Sequence, residues 1–181
     1  MQILHTGRCA YNNNPIAPSA IQAPINPHKP EAATAEMIET DIQGFINLAL
    51  NAKEANYDGV EVMGSEGYLI NQFTALRTNQ RDDEWGGAYE NRIKFGVDIV
   101  RRIREAVGEH FIKIFRLSML DLVEGGSSFE EVVQFGKAVE HAGAAKLRYY
   151  LMRMICPLES RNCLTRKKHA ENVSGSMVAE L

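Results

Sequence analysis

Apolar positions recur along this chain in two alternating patterns. Short apolar runs closed by glycine or a polar loop read as buried strands: MQIL ahead of Gly7, VEVMG ending at Gly64, and FIKIFRLSM from Phe111 to Met119. Between them, apolar residues return at helical spacing. Met37, Ile38, Ile42, Phe45, Ile46 and Ala49 follow Thr34, a suitable cap, and predict a helix ending near Asn56. Ile93, Val97, Val100, Ile103 and Val107 line one face of a second, with Asn91 placed to cap it and Gly108 placed to end it. Val132, Phe135 and Val139 follow the capping box of Ser128 and Glu131 and are stopped by Gly143. Strand then helix, repeated, is the order of parallel α/β proteins, in which helices cover a parallel sheet.

Two stretches break the alternation. Residues 11–30 hold five of the six prolines, which disfavours both helix and central strand. From Lys146 the sequence has neither a capped helix nor a strand-and-turn pattern. Its charge also changes, from a net of −7 over residues 1–145 to +4 over residues 146–181. The reading is a domain over 1–145 and an unmatched basic tail over 146–181, aberrant or disordered. MQIL has no turn or cap before it, so the chain reads as entering a domain partway through.

Composition narrows the functional classes. With 181 residues, 45 % hydrophobic and 24 % charged, the chain is long enough for one domain with a sizeable core. Twenty basic against 23 acidic residues, with no basic cluster interleaved with aromatics, argue against nucleic acid and favour a small-molecule partner. Cys9, Cys156 and Cys163 suit neither a disulfide framework nor a zinc site, and point to a reducing, cytoplasmic compartment. No apolar stretch is long enough to span a bilayer, so no membrane partner is expected. His5, His28, His110, His141 and His169 are dispersed, and neither phosphate-cradling glycine motif occurs.

In a parallel α/β protein, chemistry collects at the carboxyl ends of strands. That rule selects Gln2, His5 and Arg8 on the first strand, Met63, Glu66 and Tyr68 after the second, and Arg116 and Ser118 on the third. A phenol, with an ordinary pKa of about 10, keeps its proton at neutral pH and can release it to a carbanion, so Tyr68 is a candidate general acid that Glu66 could orient. The plainer alternative is that Tyr68 and Leu69 only pack a loop. Arg116, inside an apolar run, requires an anionic or acceptor partner, which could be a ligand or an internal carboxylate. RTNQRDDEWGGAYENR reads as a salt-bridged loop leading into a helix, and Gly125 and Gly126 as turn residues.

The ordered set QILHTGR, GVEVMGSEGYLINQF, RTNQRDDEWGGAYENRIKF and IKIFRLS resembles the FMN-binding barrel of the old yellow enzyme family, also called NADH:flavin oxidoreductases, over about residues 1–145. More narrowly, MGSEGY is similar to the dienoyl-CoA reductase branch, because Met63 and Glu66 stand where the common pattern has a His and an Asn for a substrate carbonyl. The resemblance implies a TIM (β/α)₈ barrel, here a partial one of about three strand–helix units where a whole barrel needs about 250 residues. It implies FMN as cofactor with NAD(P)H as electron source, Gln2 and Arg116 as flavin contacts, Tyr68 as proton donor and Glu66 as its assistant. The substrate class implied is an unsaturated acyl-CoA ester whose C=C bond is reduced, as in fatty acid beta-oxidation. The sixth strand, the iron–sulfur cysteines and the FAD domain of the full-length branch are not expected in this chain, which reads as an incomplete copy. The alternative reading is a non-catalytic barrel remnant that associates with itself or a partner through exposed sheet edges.

Overall fold

The computed structural model describes residues 1–121 and 123–151. Its sheet has four parallel strands in the order β1 (Gln2–Ile3), β4 (Gly59–Gly64), β5 (Ile112–Leu120) and β6 (Lys146–Leu151). Helices α1 (Ala35–Glu54), α2 (Leu69–Thr74), α3 (Tyr89–Val107) and α4 (Phe129–His141) fill the connections. Parallel neighbours need such crossovers, because a tight turn cannot return the chain in the same direction.

Alternation along the strands separates two faces. Ile3, Val60, Val62, Phe115 and Leu117 are buried against the helices. Phe115 meets Phe135 of α4 edge-on at 5.3 Å, and Phe73 of α2 stacks on Phe95 of α3 at 4.4 Å. The opposite face of the sheet carries the polar residues Gln2, Glu61 and Arg116 beside Met63 and Ile114.

Local signals placed most helix ends. The Thr34 side chain accepts from the Met37 N–H, and Ser128 and Glu131 form the reciprocal capping box. Ser128→Ala is expected to lower stability by about 1 kcal/mol, measured by urea unfolding, because it removes the acceptor from the Glu131 N–H. Arg92, buried in α3, donates to the Thr74 carbonyl at the end of α2 and, at 2.6 Å, to the capping glutamate Glu131 of α4, so Arg92 joins three helices.

In the proline-rich stretch β2 (Ile16–Ala17) pairs in parallel with β3 (Glu31–Ala32), just past its end, in a sheet of two strands, so neither is a central strand. Two expectations are corrected. Helix α3 starts at Tyr89, with Ala88 at the cap and no side-chain cap bond, so Asn91 lies inside the first turn. Lys146–Leu151, expected to hold no strand, pairs in parallel with β5 from Ile114↔Lys146 onward. Strand β6 lacks a local signature because its hydrogen bonds are supplied by β5, more than 30 residues away. Beyond Leu151 the expected basic tail lies outside the described residues.

The segment after α2 is salt-bridged as its sequence predicts. Arg81 pairs with Asp83 at 2.5 Å and holds that carboxyl below the usual carboxylate range. Arg81 also donates to the Pro18 and Ala33 carbonyls, which ties this segment to the proline-rich loop. Lys94 sits 3.6 Å over the Trp85 ring. Gly125 takes a positive φ of 72° in the turn ahead of α4.

Candidate active site

The carboxyl end of β4 runs into the sharp turn Gly64-Ser65-Glu66-Gly67-Tyr68. Glu66 and Gly67 take positive φ values of 66° and 78°, and at Glu66 this conformation is unfavourable for a side-chain-bearing residue. Hydrogen bonds with the following helix and with His5 hold it. The Gly67 N–H donates to Asn71 Oδ1 at 2.8 Å and the Gly67 carbonyl accepts from Gln72 Nε2 at 2.6 Å. The Leu69 N–H donates to the His5 carbonyl at 2.9 Å, which fixes the turn against the segment after β1.

Asn71 and Gln72 were not singled out in the sequence, although two amides inside the apolar run LINQF were a signal. Both are buried, and both serve the turn. Gln72 accepts from the Arg8 N–H and donates to the Thr6 carbonyl, each at 3.1 Å, and Asn71 donates to Asp121 at 3.1 Å.

The turn aims Glu66 across the sheet. Its carboxylate lies 2.5 Å from Arg116 Nη2, with both side chains nearly buried. Arg116 is in register with Met63, and its Nη1 lies 3.9 Å from Glu61. Glu61 in turn accepts from Gln2 Nε2 at 2.5 Å. Gln2, Arg116 and Glu66, chosen from separate stretches of sequence, thus form one chain of contacts through Glu61. The partner that Arg116 required is an internal carboxylate.

Tyr68 is placed differently. It is half-buried and lines a cavity of about 450 Å³ together with Thr6, Cys9, Tyr11, Ile25 and Asn26. Asn26 donates to the Cys9 carbonyl at 3.0 Å, so the proline-rich loop forms one wall. His5, also at a strand end, faces Asp41 of α1 at 3.9 Å and accepts from the Gly7 N–H. Burial pushes the Asp41 carboxyl above its usual range, an effect that His5, when charged, opposes. No group of three or more His, Cys, Asp or Glu able to hold a metal ion occurs among the described residues, and no helix among them is long and apolar enough to cross a membrane.

The family model described as NADH:flavin oxidoreductase / NADH oxidase matches residues 1–175. The chain belongs to this family. Among curated relatives, the NADH oxidase of Thermoanaerobacter brockii is 43 % identical over 79 % of this chain and 23 % of its own length. The NADPH dehydrogenase of Bacillus cytotoxicus is 36 % identical over 79 % of this chain and 41 % of its own length. The chain therefore spans less than half of the curated relatives it matches. Among solved structures, a 2-naphthoyl-CoA reductase in complex with 2-naphthoyl-CoA aligns with a TM-score of 0.76 and 34 % identity, over 83 % of this chain and 26 % of that one. The old yellow enzyme homologue of Zymomonas mobilis aligns with a TM-score of 0.75 and 31 % identity, over 82 % of this chain and 46 % of that one.

The α/β fold is thus part of the TIM barrel of old yellow enzymes, as expected. The NADH:flavin oxidoreductase family is flavin-linked, and its members here are named for NADH and NADPH. One expectation changes: the family match continues beyond residue 145. The relatives' names reach the family without singling out the dienoyl-CoA reductase branch.

Proposed function

We propose that this chain carries the flavin-edge contacts and the proton donor of an FMN-dependent, NAD(P)H-linked oxidoreductase that reduces the C=C bond of unsaturated acyl-CoA thioesters. The observation that carries the reading is the contact chain Gln2–Glu61–Arg116–Glu66, which gathers the proposed cofactor contacts on one face of the sheet beside the turn that bears Tyr68. The polar set fits a flavin ring edge, since the Arg116 guanidinium offers N–H groups to ring carbonyl and nitrogen acceptors, and the Gln2 amide, its Nε2 engaged by Glu61, offers a carbonyl oxygen to a ring N–H. Family membership supports the cofactor. The MGSEGY turn and the likeness to a reductase solved with a CoA thioester support the substrate class.

Bound FMN would supply the hydride to the conjugated thioester. The substrate is then an extended enolate that needs a proton at the far carbon, and Tyr68, on the wall of the 450 Å³ cavity, donates it from its O–H. Arg116 offsets negative charge at the flavin edge, and does so without reorganising because Glu66 already holds its guanidinium at 2.5 Å. Glu66 acts on the proton donor through the turn they share.

The test is to titrate the purified full chain with FMN, following the visible absorbance of bound flavin, and then to follow NAD(P)H oxidation with a 2,4-dienoyl-CoA and with a simple cyclic enone. FMN uptake, weakened at least tenfold by Arg116→Gln, and turnover of the thioester are expected. Uptake with turnover of the enone alone removes the acyl-CoA reading. No uptake sinks the flavin reading, and if the protein also elutes as an oligomer, the non-catalytic association through sheet edges replaces it.

A further inference from the structure

Glu61 is a charged residue inside the buried strand VEVMG, and neither its position nor the proposed reaction gives it a direct role. Strand alternation puts Val60 and Val62 in the core and turns Glu61 to the opposite face, where its side chain is 11 % exposed. One oxygen, Oε1, accepts from Gln2 Nε2 at 2.5 Å and lies 3.9 Å from Arg116 Nη1. The other, Oε2, accepts from Arg148 Nη1 at 3.2 Å. Arg116 and Arg148 are direct neighbours across β5 and β6, so the carboxylate also separates two like charges.

We infer that Glu61 is a positioning residue for the flavin edge: it orients the Gln2 amide and sets the charge that Arg116 presents. This rests on the function proposed above. The orientation follows from chemistry, because a carboxylate only accepts and must take the Nε2 end of Gln2. That leaves the Gln2 carbonyl oxygen for a ligand N–H, which a flavin ring has between two carbonyls. Without Glu61 the amide of this exposed side chain, on a strand of two residues, could turn either way. The charge follows from position. Glu61 and Glu66 both flank Arg116, and Arg148, 62 % exposed, draws on the same Glu61 carboxylate. The cation available to a reduced, anionic flavin is therefore the balance of the four groups.

The test uses opposite signs. In the full chain loaded with FMN, Glu61→Gln is expected to weaken binding of oxidised FMN about tenfold, since the amide lock is lost, while the reduced form holds, since an anion has been removed. A tenfold change in that ratio raises the two-electron midpoint potential by ~30 mV. Arg148→Ala, at an exposed side chain, is expected to lower the potential. Damage to packing alone would not give opposite shifts. Shifts of the same sign, or an unchanged potential in Glu61→Gln, overturn the inference. Failure of the unaltered chain to take up FMN overturns the functional reading on which it rests. If Glu61→Gln does not fold, as judged by far-UV circular dichroism, the sign of the Arg148→Ala shift decides alone, a rise or no change being the overturning result.

Discussion

Tyr68→Phe is expected to lower turnover of an unsaturated thioester by about 10²- to 10⁴-fold, the range associated with loss of a positioned general acid. FMN affinity and the rate of flavin reduction by NAD(P)H should be unchanged. The substitution keeps the ring at the wall of the cavity that Tyr68 lines with Thr6, Cys9, Tyr11 and Ile25, and removes only the O–H. A loss confined to kcat, with KM little altered, is the signature of a group that acts in the transition state. Stopped-flow absorbance separates the two half-reactions. Turnover within threefold of the unaltered protein would show that water or another side chain delivers the proton, and would remove Tyr68 from the chemistry.

Gly7→Ala is expected to lower stability by about 3 kcal/mol and the midpoint of thermal unfolding by roughly 6–12 °C. Gly7 has a φ of +59°, which costs an alanine about 1–2 kcal/mol, and an added Cβ would lie 2.2 Å from Gln72 Oε1. Gln72 has no room to withdraw, since it is fully buried and its amide bonds the Arg8 N–H and the Thr6 and Gly67 carbonyls. Displacing it would strip partners from buried groups, at about 1–3 kcal/mol for each group left unsatisfied. Its bond to Gly67 supports the positive-φ turn, so the variant should lose FMN uptake and turnover along with stability. A variant as stable as the parent would mean that the segment after β1 yields freely, and that Gln72 does not hold the turn.

How far the site was legible depended on the kind of signal. The turn GSEGY, with an acid and a phenol around a glycine, was visible as a motif, and strand-end position selected Gln2 and Arg116. Nothing local showed that Arg116 would meet Glu66, since those residues are 50 positions apart and meet because β4 and β5 are adjacent with Met63 beside Arg116. Asn71 and Gln72 were passed over for a related reason. A polar residue in a short apolar helix is a defect until its partners are known, and the partners of Gln72 lie in residues 6–8 as well as at Gly67.

The sequence by itself determined the alternation of strands and helices, the Thr34 cap and the Ser128–Glu131 capping box, because each depends on contacts three or four residues apart. It also carried the family, through motifs quoted in order. The tertiary structure decided what those local contacts could not. Strand β6 exists through its pairing with β5, and α3 begins at Tyr89 rather than at the better capping residue Asn91. Glu66 holds a positive φ because Asn71, Gln72 and His5 bond the residues that follow it. Glu61 joins Gln2 to Arg116 only where three parallel strands lie side by side. For β6, for the bond between His5 and the turn, and for Glu61, the deciding partner is distant in sequence, and only the packed sheet brings it within bonding range.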